Sequence, residues 1–254
     1  MSVTRRILVS PTVRELVHRE RIDWHDHDVH QLAYPIRGVL QVSTGRGTWV
    51  VPPNRAVWIP AGVAHAHQAH GRTEMRSLIF DAALNPLAVD RPTVLTVGPL
   101  LREVIRALSD GSGVAASHRY HLEQVALHEL REVKALPLCL PTPADSRLRA
   151  LCRLLEADPA DGRTLSELGR EVGAAERTLS RLFREQTGIS FPQWRGQLRL
   201  HHALALLATG RPVTRVAADC GYRSPSAFIE AFRAAFGTTP GRYMSSHEAA
   251  PEQS

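Results

Sequence analysis

Lysine is all but absent from this 254-residue chain: Lys134 is the single one among 31 basic residues. Arginine therefore carries nearly all of the positive charge, and the net charge is +6; the preference for arginine over lysine has no functional weight by itself. Cysteine is scarce as well. Cys139, Cys152 and Cys220 are odd in number and contain no C-x-x-C pair, which excludes a disulfide framework and the common Cys-x-x-Cys redox and metal motifs. Cys152 and Cys220 fall at apolar positions of helical patterns, so reduced core thiols of a cytoplasmic protein are expected. No apolar run reaches the length of a membrane span and the N-terminus has no signal-peptide h-region, so a soluble chain with no membrane partner is expected. The signatures H-E-x-x-H, G-x-S-x-G and the Walker sequence are all missing, so the common enzyme classes have no footing.

What is present is a repeat. Leu165, Leu168, Gly169, Val172 and Gly173 recur 48 residues later as Val213, Val216, Ala217, Cys220 and Gly221. Phe183, Arg184, Gly188, Ser190 and Trp194 recur 49 residues later as Phe232, Arg233, Gly237, Thr239 and Tyr243. Each copy is an apolar helix closing on glycine, then a second helix ending in Phe-Arg, the layout of a helix-turn-helix. Charge follows the same segment. Between Arg177 and Arg242 ten arginines stand against Glu185, Asp219 and Glu230, a local +7 suited to phosphate.

The rest of the chain divides into two. Residues 1 to about 92 carry short apolar runs separated by Gly and Pro signals, as in Val39–Val42, Trp49–Val51 and Ala56–Ile59, which predicts a small antiparallel barrel or sandwich with a hairpin turn at Gly45-x-Gly47. From about 93 to 142 the period is helical. One stripe is Leu101, Val104, Ile105 and Leu108; after Gly111-Ser112-Gly113 a second is Leu122, Val125, Ala126, Leu130 and Val133. Pro137, Pro141 and Pro143 mark a linker. Two stripes exceed what a short connector needs, so one is expected to pack on the β domain and the other on the mate of a homodimer. Further along, Asp145, the Thr164-x-x-Glu167 capping box and Ser224-Pro225 fix where three helices begin.

Leu165 to Tyr243 closely resembles the double helix-turn-helix domain of the AraC/XylS transcriptional regulators, including the linker helix Arg199-Leu200-x-x-Ala203-x-x-Leu206-Leu207 and the closing Gly237-Thr238-Thr239-Pro240-x-x-Tyr243. In a first recognition helix over about 176–186, Leu179, Leu182 and Phe183 share the core face, which leaves Arg177, Ser180, Arg181 and Arg184 outside. The resemblance implies that Arg177, Ser180 and Arg181 read bases. In a second, over about 225–235, it implies contacts from Pro225, Ser226, Ile229 and Glu230, with Arg223 near the phosphates. Glu230 departs from the usual basic or amide residue: a carboxylate accepts from cytosine N4 and repels phosphate, so the first unit is expected to carry more of the affinity. Ala175 departs too, standing where a capping serine is usual, a loss of about 1 kcal/mol.

His25-x-His27-x3-Gln31-x6-Gly38, followed by Pro60-x-Gly62-x2-His65, resembles the two cupin motifs, whose metal-binding form has three histidines and a glutamate. Gln31 replaces the carboxylate, and Asn54 stands where the second motif opens with glycine. Strand alternation puts His25 with His27, and His65 with His67, on one face, while His30 and His70 are expected at the surface. Three readings stay open for the set His25, His27, Gln31 and His65: a divalent metal site for Zn, Ni, Fe or Cu, a pocket for an organic effector, or structural histidines.

The expected architecture is thus multidomain β + α: a cupin-like β-barrel effector domain (1–92), a helical connector and dimerisation segment (93–142), and an all-α tandem helix-turn-helix domain (143–254). The function it implies is effector-responsive regulation of transcription at a double-stranded DNA operator by a homodimer, with RNA polymerase as a further partner. The rivals are a cupin metalloenzyme, a dioxygenase or isomerase with an appended helical domain, and a DNA-binding module whose β domain serves only to dimerise.

Overall fold

In the computed structural model two long strands pair over most of their length and organise everything N-terminal; the structure describes residues 3–8, 12–110, 115–132, 135–136 and 139–243. The strands are β1 Thr4–Arg5, β2 Thr12–Leu16, β3 Arg21–Asp26, β4 His30–Thr44, β5 Gly47–Val51, β6 Arg55–Ile59, β7 His65–Phe80 and β8 Thr93–Thr96. Helices α1 Pro99–Ser109 and α2 Ala116–Glu132 follow, then β9 Ala135–Leu136 and β10 Cys139–Pro141. The C-terminal helices are α3 Ser146–Ala157, α4 Leu165–Val172, α5 Glu176–Thr187, α6 Phe191–Leu207, α7 Val213–Asp219 and α8 Pro225–Phe236. Contacts divide the chain into two units, Met1–Gly45 with Trp49–Leu138, and Arg46–Thr48 with Cys139–Ser254.

In the first unit the sheet runs β1-β3-β7-β4-β6-β8-β9. The β4–β7 ladder is antiparallel from His30↔Phe80 to Thr44↔His65 and is interrupted only around residues 35–39. Gly38 causes the interruption: its φ is +73°, and a Cβ there would lie 2.4 Å from Thr73 Oγ1 and 2.5 Å from the Arg72 carbonyl, so no side chain fits. Asn54 has φ +71°, the left-handed conformation that glycine takes freely and asparagine tolerates, which explains how it replaces the motif glycine.

Alternation gives this sheet two apolar faces. Leu32 and Tyr34 of β4, Trp58 of β6 and Leu78 and Phe80 of β7 form one core with Leu101, Val104, Ile105 and Leu108 of α1 and Ala126, Leu127 and Leu130 of α2. Gln31, Ala33 and Ser77 lie on the opposite face, with Gln31 across from Ile59 and Ile79.

Two expectations are corrected here. The sheet does not stop near residue 92: the four-residue run Thr93–Thr96 pairs with β6 through Ala56↔Leu95 and Val57↔Val94, because a strand this short is set by its neighbour more than by its own period. Nor is either helical stripe left for a mate. Leu101, Val104, Ile105, Leu108, Ala126 and Leu130 are buried against the sheet and Leu122 and Val125 pack on the same core, since β4, β6 and β7 offer a complementary apolar face. Val133, Pro137 and the break at 111–113 lie outside the described residues.

In the second unit, Leu148, Leu151, Cys152 and Leu155 of α3 pack with Leu165 and Leu168 of α4, Leu179, Leu182 and Phe183 of α5 and Phe191, Trp194 and Leu198 of α6. The caps stand where the sequence predicts them. Asp145 accepts from the backbone N–H groups of Arg147 and Leu148, Thr164 and Glu167 form a reciprocal box, and Ser224 accepts from Ala227 N–H. Ala175 makes no side-chain cap.

Leu130 is fully buried, so Leu130→Ala is expected to lower the unfolding free energy by about 2–5 kcal/mol in a urea titration, with no change in sedimentation. A changed sedimentation coefficient at unchanged stability would return the stripe to a subunit interface.

Candidate nucleic-acid interface and histidine site

Helices α4 and α5 meet at a turn set by glycine. Gly169 packs so closely that a Cβ would stand 2.4 Å from the Ala174 carbonyl oxygen and 3.2 Å from Leu179 Cδ1, and the Ala174 N–H donates to the Gly169 carbonyl at 2.9 Å. This contact fixes the angle at which α5 leaves the body. With Leu179, Leu182 and Phe183 buried, the opposite face of α5 carries Arg177, Arg181 and Arg184, all exposed, and half-buried Ser180. They line one shallow surface with Glu176 and Glu185. Arg181 donates to Glu185 at 2.6 Å across one helical turn; both are exposed, so the pair is worth only about 0.3–0.5 kcal/mol and yields readily to a stronger acceptor.

The second unit repeats the arrangement. After α7 the Tyr222 N–H donates to the Ala217 carbonyl at 2.9 Å, and Ser224 caps α8. The aromatic series Phe228, Phe232 and Phe236 is buried, with ring centroids 5.7 Å and 4.6 Å apart, and Tyr243 closes on Phe232 at 5.6 Å. Arg223, Ser226 and Glu230 are exposed, while Ile229 is half-buried. The two outward faces therefore differ, arginine-rich on α5 and carrying a carboxylate on α8.

In the β domain, Ile22 faces His67 and His25 faces His65 on β3 and β7, and the register slips by one residue between these pairs. That bulge turns His25 to the side occupied by His65 and His67. His25, His65 and His67 are buried, and one nitrogen from each lies within 4.8 Å of the other two. The Nδ1–H of His25 donates to the Asp23 carbonyl and that of His65 to the Val63 carbonyl, each at 2.8 Å, which leaves the Nε2 lone pairs free. His65 Nε2 and both nitrogens of His67 are buried without a partner. Burial holds the pKa of all three below the usual histidine value, His65 down to about 3, and the positive charge of Arg6 acts on each in the same direction. The cluster is thus neutral near pH 7, the form that ligates metals.

Motif spacing groups His25, His27, Gln31 and His65. The structure brings His25 and His65 together with His67, which alternation had marked but the motif had not. His27 lies beside the cluster, its ring centroid 5.0 Å from that of His65, and is engaged elsewhere. Its Nδ1 is 2.7 Å from the Val29 carbonyl and its Nε2 is 3.2 Å from the Gln31 amide, whose other end meets the Ser77 hydroxyl at 2.9 Å. With Nδ1–H donating to Val29, a neutral ring presents a lone pair at Nε2, so the Gln31 amide must turn its NH2 to His27 and accept from Ser77. His30, expected at the surface, is buried. It lies 3.0 Å from the Ala82 carbonyl, accepts from the Ala61 N–H at 3.0 Å and packs on Trp58, because the β4 strand start tucks under the 60–62 loop. His70 is half-buried beside Gln41.

Comparison with known proteins bears on both regions. Residues 14–172 match the AraC-like ligand binding domain family, and residues 168–246 match a helix-turn-helix domain family. The HTH-type transcriptional regulator NimR of Escherichia coli (strain K12) is 35% identical over 225 residues, covering 87% of this chain and 81% of that protein. The chain belongs to the AraC family of transcriptional regulators. It is a DNA-binding transcriptional regulator with a ligand-binding domain, and the cupin-metalloenzyme alternative finds no support among these relatives. The arabinose operon regulatory protein of Escherichia coli (strain K12) is 31% identical over 129 residues, 50% of this chain and 43% of that protein. Among solved structures, the DNA-binding domain of AdpA in complex with a target DNA is 28% identical, covers 43% of this chain and 100% of that one, and has a TM-score of 0.40. Among the described residues of this AraC-family chain no helix is long and apolar enough to cross a membrane.

Gly169→Ala forces a methyl onto a carbonyl that cannot swing away. It is expected to destabilise the C-terminal unit by about 1–3 kcal/mol despite alanine's better helix propensity, and to weaken DNA binding in step. An unaltered melting curve would show that the turn opens freely.

Proposed function

We propose that this regulator acts in the cytoplasm, not as an enzyme, and reads a specific operator through two unequal units: Arg177, Ser180 and Arg181 of α5 at base edges with Arg184 beside them, and Ser226 and Glu230 of α8 with Arg223 at the phosphates. The supporting observation is the row of exposed Arg177, Arg181 and Arg184 with half-buried Ser180 on a helix whose other face is buried core. Guanidinium groups one helical turn apart suit bidentate contacts to guanine O6 and N7, whereas Glu230 accepts only from cytosine N4 and meets phosphate unfavourably. The α5 unit would then supply most of the affinity and α8 a preference. An effector, a small molecule or a metal, held in the β domain would alter operator occupancy by binding one arrangement of the protein better than another. A twofold homodimer using surfaces other than the buried stripes of α1 and α2 would present two such readers to half-sites in register with the duplex, and RNA polymerase would be the partner through which transcription responds.

Arg181→Ala is expected to cost about 1–3 kcal/mol on a duplex selected from a random library, and to relax preference at one base pair. Fluorescence anisotropy on selected and scrambled duplexes reads this directly. Equal weakening on both would make Arg181 a phosphate contact. Glu230→Ala should change the selected sequence with little change in affinity. A wild-type chain that sediments as a monomer at micromolar concentration, with and without DNA, would remove the homodimer.

A further inference from the structure

Three buried imidazoles without carboxylate partners are an unusual thing to leave in the interior of a sheet. An unpaired buried polar nitrogen is costly, and here His65 Nε2 and both nitrogens of His67 are unpaired. Two of the three rings are held by backbone carbonyls at Nδ1, which leaves their Nε2 lone pairs free, as outer-shell partners hold metal-binding histidines, and one nitrogen of each ring lies within 4.8 Å of the others. The bulge between Ile22 and His25 brings the third ligand onto the same face. Hydrogen bonding between the rings does not explain the set: His67, which no carbonyl engages, keeps one N–H, and neither its nitrogens nor His65 Nε2 has a hydrogen-bond partner.

We propose that His25, His65 and His67 bind one divalent transition-metal ion, and that its remaining coordination position takes an anionic oxygen ligand, a carboxylate or a hydroxide. The ligand set differs from the one the motif spacing implies, with His67 replacing His27. Imidazole donors suit zinc, nickel, copper or ferrous iron and not calcium or magnesium. The anionic co-ligand follows from charge. Three neutral imidazoles leave the ion's full double charge in a buried site, and Gln31, which meets His27, offers no negative charge. A carboxylate or hydroxide would lower the net charge of the site. The reading is independent of operator recognition, which is measured separately on DNA, so failure of one does not bring down the other.

The test uses the full chain without a histidine tag, stripped of metal and titrated with cobalt(II). One equivalent should bind with the intense visible bands of a low-coordinate site, and zinc should displace it. X-ray absorption on the zinc form should count three imidazoles, which requires no variant. His67→Ala should weaken cobalt binding by more than the roughly 10–100-fold that loss of an outer-shell partner costs, while His27→Ala should weaken it less. Adding acetate at constant pH should shift the cobalt bands, and raising the pH without acetate should do so if hydroxide is the co-ligand. Failure of the wild-type chain to take up cobalt or zinc overturns the site. Loss of binding in His27→Ala equal to that in His67→Ala overturns the ligand set. Bands indifferent to both acetate and pH overturn the open anionic position.

Discussion

The antiparallel pairing of β4 with β7 is the constraint on which the N-terminal domain depends. It runs from His30↔Phe80 to Thr44↔His65, and its alternation assigns every side chain of both strands to one of two faces. One face gives Leu32, Tyr34, Leu78 and Phe80 to the core shared with α1 and α2. The other gives Gln31 and Ser77, and further along β7 the face bearing His65 and His67 meets His25. A one-residue slip of β7 would exchange the faces, placing histidines against leucines. Around Gly38, where a Cβ has no room, the pairing slips by one residue overall, so even-numbered residues of β4 pair with even-numbered residues of β7 before it, as Leu32 with Leu78, and with odd-numbered ones after it, as Val42 with His67.

The DNA-binding domain rests on a different constraint, the close approach of backbones at helix turns. Gly169 lets α4 come within contact of the Ala174 carbonyl, and the resulting angle turns the Arg177–Arg184 face outward while Phe183 joins Phe191 and Trp194, with ring centroids 5.3 Å and 5.9 Å away. The second unit reaches the same layout with alanine at the matching position, Ala217, and relies on the Phe228–Phe236 series and Tyr243 for its core. Repetition in sequence is thus repetition of geometry with a changed outer surface.

The helix-turn-helix pair was fully legible, because its signals are local: capping hydroxyls, glycine stops and a 3.6-residue apolar period specify helices whatever they pack against. The β domain was legible as a class but not in detail. Nothing in Arg21–Asp26 marks the one-residue slip that turns His25 toward His65, since a bulge is settled by pairing with β7. Alternation had placed His67 beside His65, yet motif spacing drew attention to His27, whose nitrogens are taken by Val29 and Gln31. The stripes on α1 and α2 are plain in the sequence as apolar, but a stripe records that a helix packs and not what it packs against. Thr93–Thr96 is too short to show a period, so β8 was visible only through its partner.

β7 also joins the histidine cluster to the helices by rigid contacts. His67 and Ser77 lie on it, and beside Ser77 the buried Arg76 donates to Glu74, Asp110 and the Ser109 hydroxyl, the last at 3.0 Å, at the C-terminal end of α1. Arg76 faces the α1 side while its neighbour Ser77 faces Gln31, so adjacent residues of one strand carry the contacts of the two faces. A ligand at the cluster that prefers a different setting of β7 therefore acts against an ion pair and a packed helix together. Such contiguity becomes allosteric coupling only where the ligand's affinity differs between two settings of the strand. The ladder makes small displacements of one face inseparable from the other, because a pleated strand cannot shift its odd residues without carrying its even ones.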